Sequence, residues 1–126
     1  RACDKLNKAC LALYNTALTD FGGQALASGL KCRALQHLDI RLFGTGVGDQ
    51  TGLELAQSIR FCSSKLQTVF VGFGGTQAGD ESGSAISASL GSCSRLIKAD
   101  LQFPDTKISD AGGSRLAQGL ARPEVK

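Results

Sequence analysis

The sequence predicts an α/β protein in which a strand and a helix alternate four times. Three observations carry this prediction: a unit of about thirty residues recurs, apolar residues alternate at the start of each unit, and apolar residues follow a helical spacing in its second half. One strand and one helix cannot bury an apolar face alone, so we expect neighbouring units to stack and share a core.

The unit is defined by an aspartate that recurs after 29, 31 and 30 residues. A leucine lies 14 positions before each aspartate, a threonine lies four positions before it, and a glycine lies three positions after it. The four aspartates are Asp20, Asp49, Asp80 and Asp110. We therefore predict a single array over residues 1–126, with repeats at about 3–31, 32–61, 62–92 and 93–121 and a short tail at 122–126.

Each repeat opens with a short strand. Leu38 and Ile40 lie two positions apart in the second repeat, as do Val69 and Val71 in the third. Because side chains two positions apart on a strand point to the same face, these residues are predicted to face the core and their neighbours to face outward. Each strand is followed by a helix, so we expect a parallel sheet on one side and the helices on the other.

A glycine-rich turn follows the second and third strands. The segments GTGVGDQTG and GTQAGDESG look like phosphate-binding loops, but they recur and neither is followed by the Lys-Ser/Thr pair of a P-loop. We therefore interpret them as structural turns. The threonine of each repeat is predicted to satisfy turn backbone with its hydroxyl, in a ladder formed by Thr16, Thr45, Thr76 and Thr106.

A helix of about three turns closes each repeat, because Gly52, Leu55, Ala56 and Ile59 have the spacing of one helical face. We expect the aspartate to cap its own helix, where the helix dipole is positive. We expect the glycine three positions later to let the helix approach the sheet. A basic rim is predicted at the other helix ends, formed by Lys31, Arg33, Arg60, Lys65, Arg95 and Arg122.

The order L-x-x-L-x-L, turn, D-x-x-G and L-A-x-x-L resembles the leucine-rich repeat of the long, ribonuclease-inhibitor-like type. The resemblance implies a solenoid of about four strand-helix repeats, with the parallel sheet on its concave face and the helices on its convex face. The family places an asparagine shortly after the strand. This chain departs from that pattern with Tyr14, Phe43, Gly74 and Pro104. The threonine ladder is our interpretation of what replaces the asparagine.

The resemblance also implies a function. Leucine-rich repeats recognise partners through the concave sheet face, so we expect a non-enzymatic protein-binding or scaffold module. Phe70 would be an apolar anchor inside a polar frame, and the competing interpretation is a merely solvated face. The predicted binding residues are Lys8, Cys10, His37, Asp39, Arg41, Thr68, Phe70, Lys98, Asp100 and Gln102.

The concave face of four strands is small. It presents on the order of 400 Å², against about 800 Å² per partner in a standard interface. We therefore expect protein partners that also touch other surfaces, in a larger complex or a longer parent chain. The alternative function is a structural accessory subunit of a large multi-protein assembly, for example photosynthetic or cytoskeletal, since the pattern F-x-x-T-x-I-x-D-x-G resembles repeats of a protist or alga.

Catalytic residues, metal ligands and cofactors are not expected. The chain has one histidine, His37, on a strand, so the serine of the GDESG segment lacks a positioned base. Cys10 is predicted to point outward from the sheet. The other cysteines are predicted to form a row of buried thiols, a shape that does not suit tetrahedral zinc, and bridges between neighbours stay open in an oxidising compartment. The row is Cys3, Cys32, Cys62 and Cys93.

Charge and hydropathy exclude other classes of protein. The net charge of +3 is far below that of a dedicated nucleic-acid binder, so nucleic acid or anionic lipid would have to use the basic rim. No apolar run reaches the roughly 18 to 20 residues that span a bilayer, and no leader pattern opens the chain. We expect no transmembrane segment and favour an intracellular location, in the cytoplasm or an organelle.

Overall fold

The computed structural model describes residues 6–103, 106, 107, 109 and 110 of the 126-residue chain. Strands and helices alternate along it, which confirms the predicted α/β class. The strands are β1 (Lys8–Ala12), β2 (His37–Arg41), β3 (Thr68–Gly72) and β4 (Lys98–Gln102). The helices of the described part are α1 (Asp20–Ser28), α2 (Asp49–Phe61) and α3 (Asp80–Gly91). Apart from Asp110, the predicted fourth helix lies outside the described residues, as do Cys3, Arg122 and the tail.

The four strands form one parallel sheet in the order β1-β2-β3-β4, as the repeat predicts. Pairing joins equivalent positions of successive repeats, so that Leu38 lies beside Val69 and Ile40 lies beside Val71. The side chains at these positions are buried, whereas their neighbours along the two strands are only partly buried, except for Gly72. The sheet therefore has an inner face that carries the core and an outer face that carries the alternate residues.

The core lies between the inner face of the sheet and the helices. Leu55 and Ile59 of α2 and Ile86 and Leu90 of α3 are fully or almost fully buried there. The leucine that opens the repeat is buried in the second, third and fourth repeats. These residues are Leu35, Leu66 and Leu96. Because equivalent positions stack, the second, third and fourth repeats contribute the same kind of side chain to one continuous apolar layer.

The turns after β1, β2 and β3 depend on left-handed backbone at one recurrent position. Gly44 and Gly75 have φ angles of 69° and 71°, and Asn15 occupies the equivalent position with φ of 51°. Glycine and asparagine tolerate this region best, which explains the glycines without a bound phosphate. The structural interpretation of these turns is therefore supported by their conformation.

The threonine hydroxyls bond turn backbone, as predicted, but each bond stays within one repeat. Thr45 Oγ1 donates to the carbonyl oxygen of Leu42 at 2.8 Å, and Thr76 Oγ1 donates to that of Phe73 at 2.6 Å. The rungs between repeats are backbone bonds, such as Leu42 N–H to the carbonyl of Gly72 at 2.7 Å. The threonines therefore fix the shape of each turn, and the backbone joins one turn to the next.

The prediction that each aspartate caps its own helix is wrong for the three described helices, which begin at Asp20, Asp49 and Asp80. The N-cap residues Gly48 and Gly79 make no side-chain capping bond, and the aspartate is the first helical residue. Asp49 Oδ1 instead accepts hydrogen bonds from the next repeat: Gly79 N–H at 2.8 Å, Ser82 N–H at 3.1 Å and Ser82 Oγ at 2.6 Å. The carboxylate thus caps the following helix, because parallel neighbouring helices bring that N-terminus within reach.

The same inter-repeat bond is found one repeat earlier. Asp20 Oδ1 accepts from Gly48 N–H at 2.7 Å, Thr51 N–H at 3.0 Å and Thr51 Oγ1 at 2.7 Å. Desolvation by burial would raise the pKa of Asp20, but the bonds from Thr51 and Gly48 outweigh it, so the pKa lies below its ordinary value. The carboxylate is therefore held in its charged form by the helix that it caps.

The recurrent glycine of the helix start also acts between repeats. A Cβ added to Gly52 would collide with the hydroxyl of Ser82 on the neighbouring helix. The prediction that this glycine lets its helix approach the sheet is therefore corrected: it lets the next helix approach. Ser58 Oγ and Ser89 Oγ add further ties, since they donate to the carbonyls of Ala27 and Ala56 in the preceding helices at 2.6 and 2.7 Å.

The cysteine row consists of buried thiols in the described part of the chain. Cys32, Cys62 and Cys93 are all about 99% buried or more, and the backbone N–H of Cys32 donates to Cys62 Sγ at 3.4 Å. Burial raises the pKa of the Cys62 thiol, which keeps it neutral and unreactive. These thiols therefore serve as small core side chains.

Candidate functional site

The outer face of the sheet gathers all ten predicted binding residues. Strand pairing aligns them in three rows, because equivalent positions of the four strands lie side by side. The first row is Lys8, His37, Thr68 and Lys98. The middle row is Cys10, Asp39, Phe70 and Asp100, and the last row is Ala12, Arg41, Gly72 and Gln102. Whether these residues bind a partner stays a prediction.

A groove of about 410 Å³ lies on the outer face. Its volume falls within the range of roughly 300 to 1,000 Å³ that is usual for ligand pockets. The lining includes Ala9, Leu38 and Val69 of the strands together with eight of the ten predicted residues. Those eight are Lys8, His37, Asp39, Arg41, Thr68, Phe70, Lys98 and Asp100.

Arg41 contacts two other residues that line the groove, Asp39 and Phe70. Its guanidinium makes a two-point contact with the Asp39 carboxylate, with Nε to Oδ1 at 2.8 Å and Nη2 to Oδ2 at 3.1 Å. Its Cζ atom also lies 4.2 Å from the centroid of the Phe70 ring, in a cation–π contact. Hydrogen bonds with Asp39 and then with Tyr14 raise the pKa of Arg41 above its ordinary value. The three side chains therefore form a charge-balanced platform with fixed geometry.

Two aromatic residues that the sequence analysis did not assign to the site border this platform. Tyr14 stacks on Phe43 with ring centroids 5.6 Å apart and an interplanar angle of 9°. A Cβ added to Gly72 would collide with the Phe43 ring, so the ring lies over the outer side of that glycine. Tyr14 is 47% exposed. The sequence could have indicated this contribution, because both aromatic residues occupy the position after the strand where leucine-rich repeats have asparagine.

The first row has a different character from the platform. His37 Nδ1 and Thr68 Oγ1 are 2.8 Å apart and form a hydrogen bond that joins β2 to β3. Lys8 and Lys98 stand exposed at the two ends of this row. Within residues 6–103, neither lysine forms an ion pair. The row therefore presents uncompensated positive charge.

The remaining carboxylate of the outer face lies in the middle row on β4. Asp100 Oδ1 accepts a hydrogen bond of 3.4 Å from Nε2 of Gln102. Cys10 is exposed on β1, as predicted, and lies beside Asp39 in the register. The charges of the face are thus arranged by row, with lysines in the first row, carboxylates in the middle row and Arg41 in the last row.

The basic rim is partly neutralised in the structure. Lys31 Nζ lies 3.3 Å from Glu54 Oε2, and the Arg33 guanidinium lies 4.6 Å over the Phe61 ring. The other rim cations of the described part, Arg60, Lys65 and Arg95, are exposed. The rim is therefore a sparse set of cations and not a dense patch of the kind that nucleic-acid binders carry.

The described residues contain no group of three or more His, Cys, Asp or Glu side chains that could hold a metal ion. In the same part of the chain, no helix combines the length and apolar character needed to cross a bilayer. A scan against protein-family models matched no family, and a search of curated proteins found no similar protein.

Proposed function

We propose that this chain is a leucine-rich repeat array of the long, ribonuclease-inhibitor-like type, curved into a solenoid with the sheet on its concave side. The parallel sheet with β1 to β4 in chain order supports this assignment, as do the equivalent positions that pair along it. The caps that pass from each helix to the next, at Asp20 and Asp49, support it as well, because they need stacked repeats of equal shape.

Within that architecture, the chain acts as a non-enzymatic module that binds protein partners through the outer face. The observation that carries this proposal is the platform of Arg41, Asp39 and Phe70, which lines a 410 Å³ groove. Arginine and aromatic side chains dominate binding energy at protein interfaces. A side chain that is already held in place loses little conformational entropy on binding, so the platform favours affinity.

A second candidate function is a structural subunit that is held by its edge in a larger assembly or a longer parent chain. Leu6 is 40% exposed, whereas its equivalent Leu35 is 1% exposed. Phe21, in the first turn of α1, is 90% exposed. Exposed apolar side chains in the first repeat, whose strand β1 lies at the edge of the sheet, are suited to contact with another polypeptide.

The two functions are separated by a double variant of the platform. Phe70→Asp with Arg41→Glu introduces negative charge at the centre of the outer face and should abolish capture of partners from an extract of the native source. Gln57→Asp with Arg60→Glu is the matched control, because it makes the same charge changes at exposed positions of α2. Partner capture should persist in the control.

Quantitative mass spectrometry of the captured proteins gives the readout. A binding module loses its partners in the platform variant alone. Equal capture by the wild type and the platform variant contradicts binding through the outer face and supports the edge-held subunit. Loss of capture in both variants would indicate that the net charge of the chain, and not the platform, governs the interaction.

A further inference from the structure

We propose that the partner presents an acidic, extended peptide segment that crosses the strands over the first row, with two carboxylates four residues apart. This inference rests on the proposed function and adds the chemistry of the partner. The two carboxylates pair with Lys8 and Lys98, which stand at opposite ends of the row. His37 and Thr68 lie between these lysines, on the two central strands.

Charge complementarity selects an acidic partner. Lys8 and Lys98 are exposed and form no ion pair within residues 6–103, whereas the positive charge of Arg41 is balanced by Asp39. Of the outer-face charges without an ion pair in this part of the chain, two are positive, Lys8 and Lys98, and one is negative, Asp100, so the unpaired charge is net positive and its cations lie in the first row. Exposed cations of this kind steer an acidic segment towards the face and fix its register.

The spacing of the carboxylates follows from two elementary lengths. Lys8 and Lys98 occupy the outer strands of four, so three strand spacings of about 4.8 Å place their backbones about 14 Å apart. An extended peptide advances about 3.3 to 3.6 Å per residue, so four residues cover about 13 to 14 Å. Side chains at positions 1, 3 and 5 of such a peptide point to the same side. Residues 1 and 5 thus face the two lysines together.

The middle row sets the position of the segment on the face. Asp39 is already bonded to Arg41, and Asp100 is bonded only to Gln102 among its contacts on the outer face. Asp100 lies two positions from Lys98 on β4 and repels a carboxylate that shifts towards the middle row. An acidic segment is therefore kept on the first row.

The test uses short synthetic peptides and the intact ¹⁵N-labelled chain, with backbone chemical shifts followed during titration at low salt. The peptide ESSSE carries the proposed spacing. SEESS has the same composition with adjacent carboxylates, QSSSQ is neutral and KSSSK is basic. We expect ESSSE to bind most tightly and to shift the amides of Lys8, His37, Thr68 and Lys98.

Variants of the protein locate the contact. Lys8→Glu and Lys98→Glu should each weaken ESSSE binding about fivefold, since each replaces an exposed attraction with a repulsion. Lys65→Glu is the matched control, because Lys65 is exposed on the basic rim away from the sheet, and it should leave the affinity unchanged. Asp100→Asn should tighten binding about twofold, because it removes a repulsion.

The proposal is overturned if QSSSQ or KSSSK binds as well as ESSSE, if SEESS binds as well, or if the lysine variants match the wild type. Tighter binding of a uridine octanucleotide than of ESSSE on the same row would overturn it in favour of RNA. These outcomes are distinct from failure of the proposed function. If the platform variant loses its protein partners while ESSSE fails to bind, the outer face binds proteins but the acidic segment is wrong.

Discussion

The two faces of the sheet are formed by the same strands. The side chains of the inner face repeat from strand to strand, and those of the outer face do not. The inner face carries aliphatic side chains at equivalent positions of every strand, such as Leu38 beside Val69. The outer face changes from strand to strand, from Asp39 to Phe70 to Asp100 across the middle row. Stacking requires repeats that match on the inside, and recognition requires a surface that does not repeat. The comparison predicts that the inner face governs stability and the outer face governs binding.

The largest effect is expected in the core. Leu66→Ala removes a fully buried side chain of the continuous leucine layer and should lower the free energy of unfolding by about 2 to 5 kcal/mol. Leu6→Ala is the internal control, since Leu6 occupies the equivalent position and is 40% exposed, and it should cost much less. Urea denaturation measures both values. Equal losses would show that the shared layer does not extend as described.

The second-largest effect is expected from an aspartate that caps the next repeat, compared with an aspartate of the outer face. Asp49→Ala leaves two buried N–H groups and a buried hydroxyl of Gly79 and Ser82 without their acceptor, and should cost about 1 to 3 kcal/mol. Asp39→Ala on the outer face breaks a partly exposed ion pair with Arg41 and should cost about 0 to 1 kcal/mol. A larger loss for Asp39 in urea denaturation would refute the role given to the inter-repeat caps.

Asp20 should make part of the stability depend on pH. Its pKa is lowered in the folded chain, so its contribution is fully present above the unfolded value of about 3.9 and is lost as the pH falls through the folded pKa. Asp20→Asn should therefore be less stable than the wild type at pH 6, and the two should converge towards pH 2. A stability difference that stays constant or grows in acid contradicts this cap.

The smallest effect in this series concerns the turns. Thr45→Val keeps the shape of a 96%-buried side chain and removes its bond to the Leu42 carbonyl, so it should lower the free energy of unfolding by about 1 kcal/mol. Thr68→Val on the outer face, whose hydroxyl bonds His37, is the matched control and should cost less because that bond is partly exposed to water. Thermal or urea unfolding compares the two. An unchanged free energy of unfolding for Thr45→Val would contradict a stabilising role for this hydrogen bond.

Much of the fold was predictable from the sequence because apolar residues show both the alternation of a strand and the spacing of a helix. The alternation at Leu38 and Ile40 and the helical spacing from Gly52 to Ile59 each fix a face. The register between strands follows the repeat spacings of 29, 31 and 30 residues. The ten residues of the outer face followed from the same alternation. These features need only local pattern and stacking.

The errors concern contacts between repeats. The pattern D-x-x-G predicts that the aspartate caps its own helix, because capping preferences describe single helices. In the structure, Asp49 instead accepts a hydrogen bond from Ser82 in the next repeat. The contribution of Tyr14 and Phe43 to the outer face was missed for a related reason. Their slot was compared with the asparagine of the repeat family, and the stacking of one ring on the other depends on two strands lying side by side.

The most direct test compares two adjacent residues of β3 that face opposite sides. Val71 is fully buried on the inner face, and Phe70 lies on the outer face with Arg41 over its ring. Phe70→Ala removes more carbon than Val71→Ala, yet the free energy of unfolding should fall further for Val71→Ala, by at least about 1 kcal/mol. An equal or larger loss for Phe70→Ala in urea denaturation would contradict the division of the strands into a face that holds the fold and a face that is free to bind.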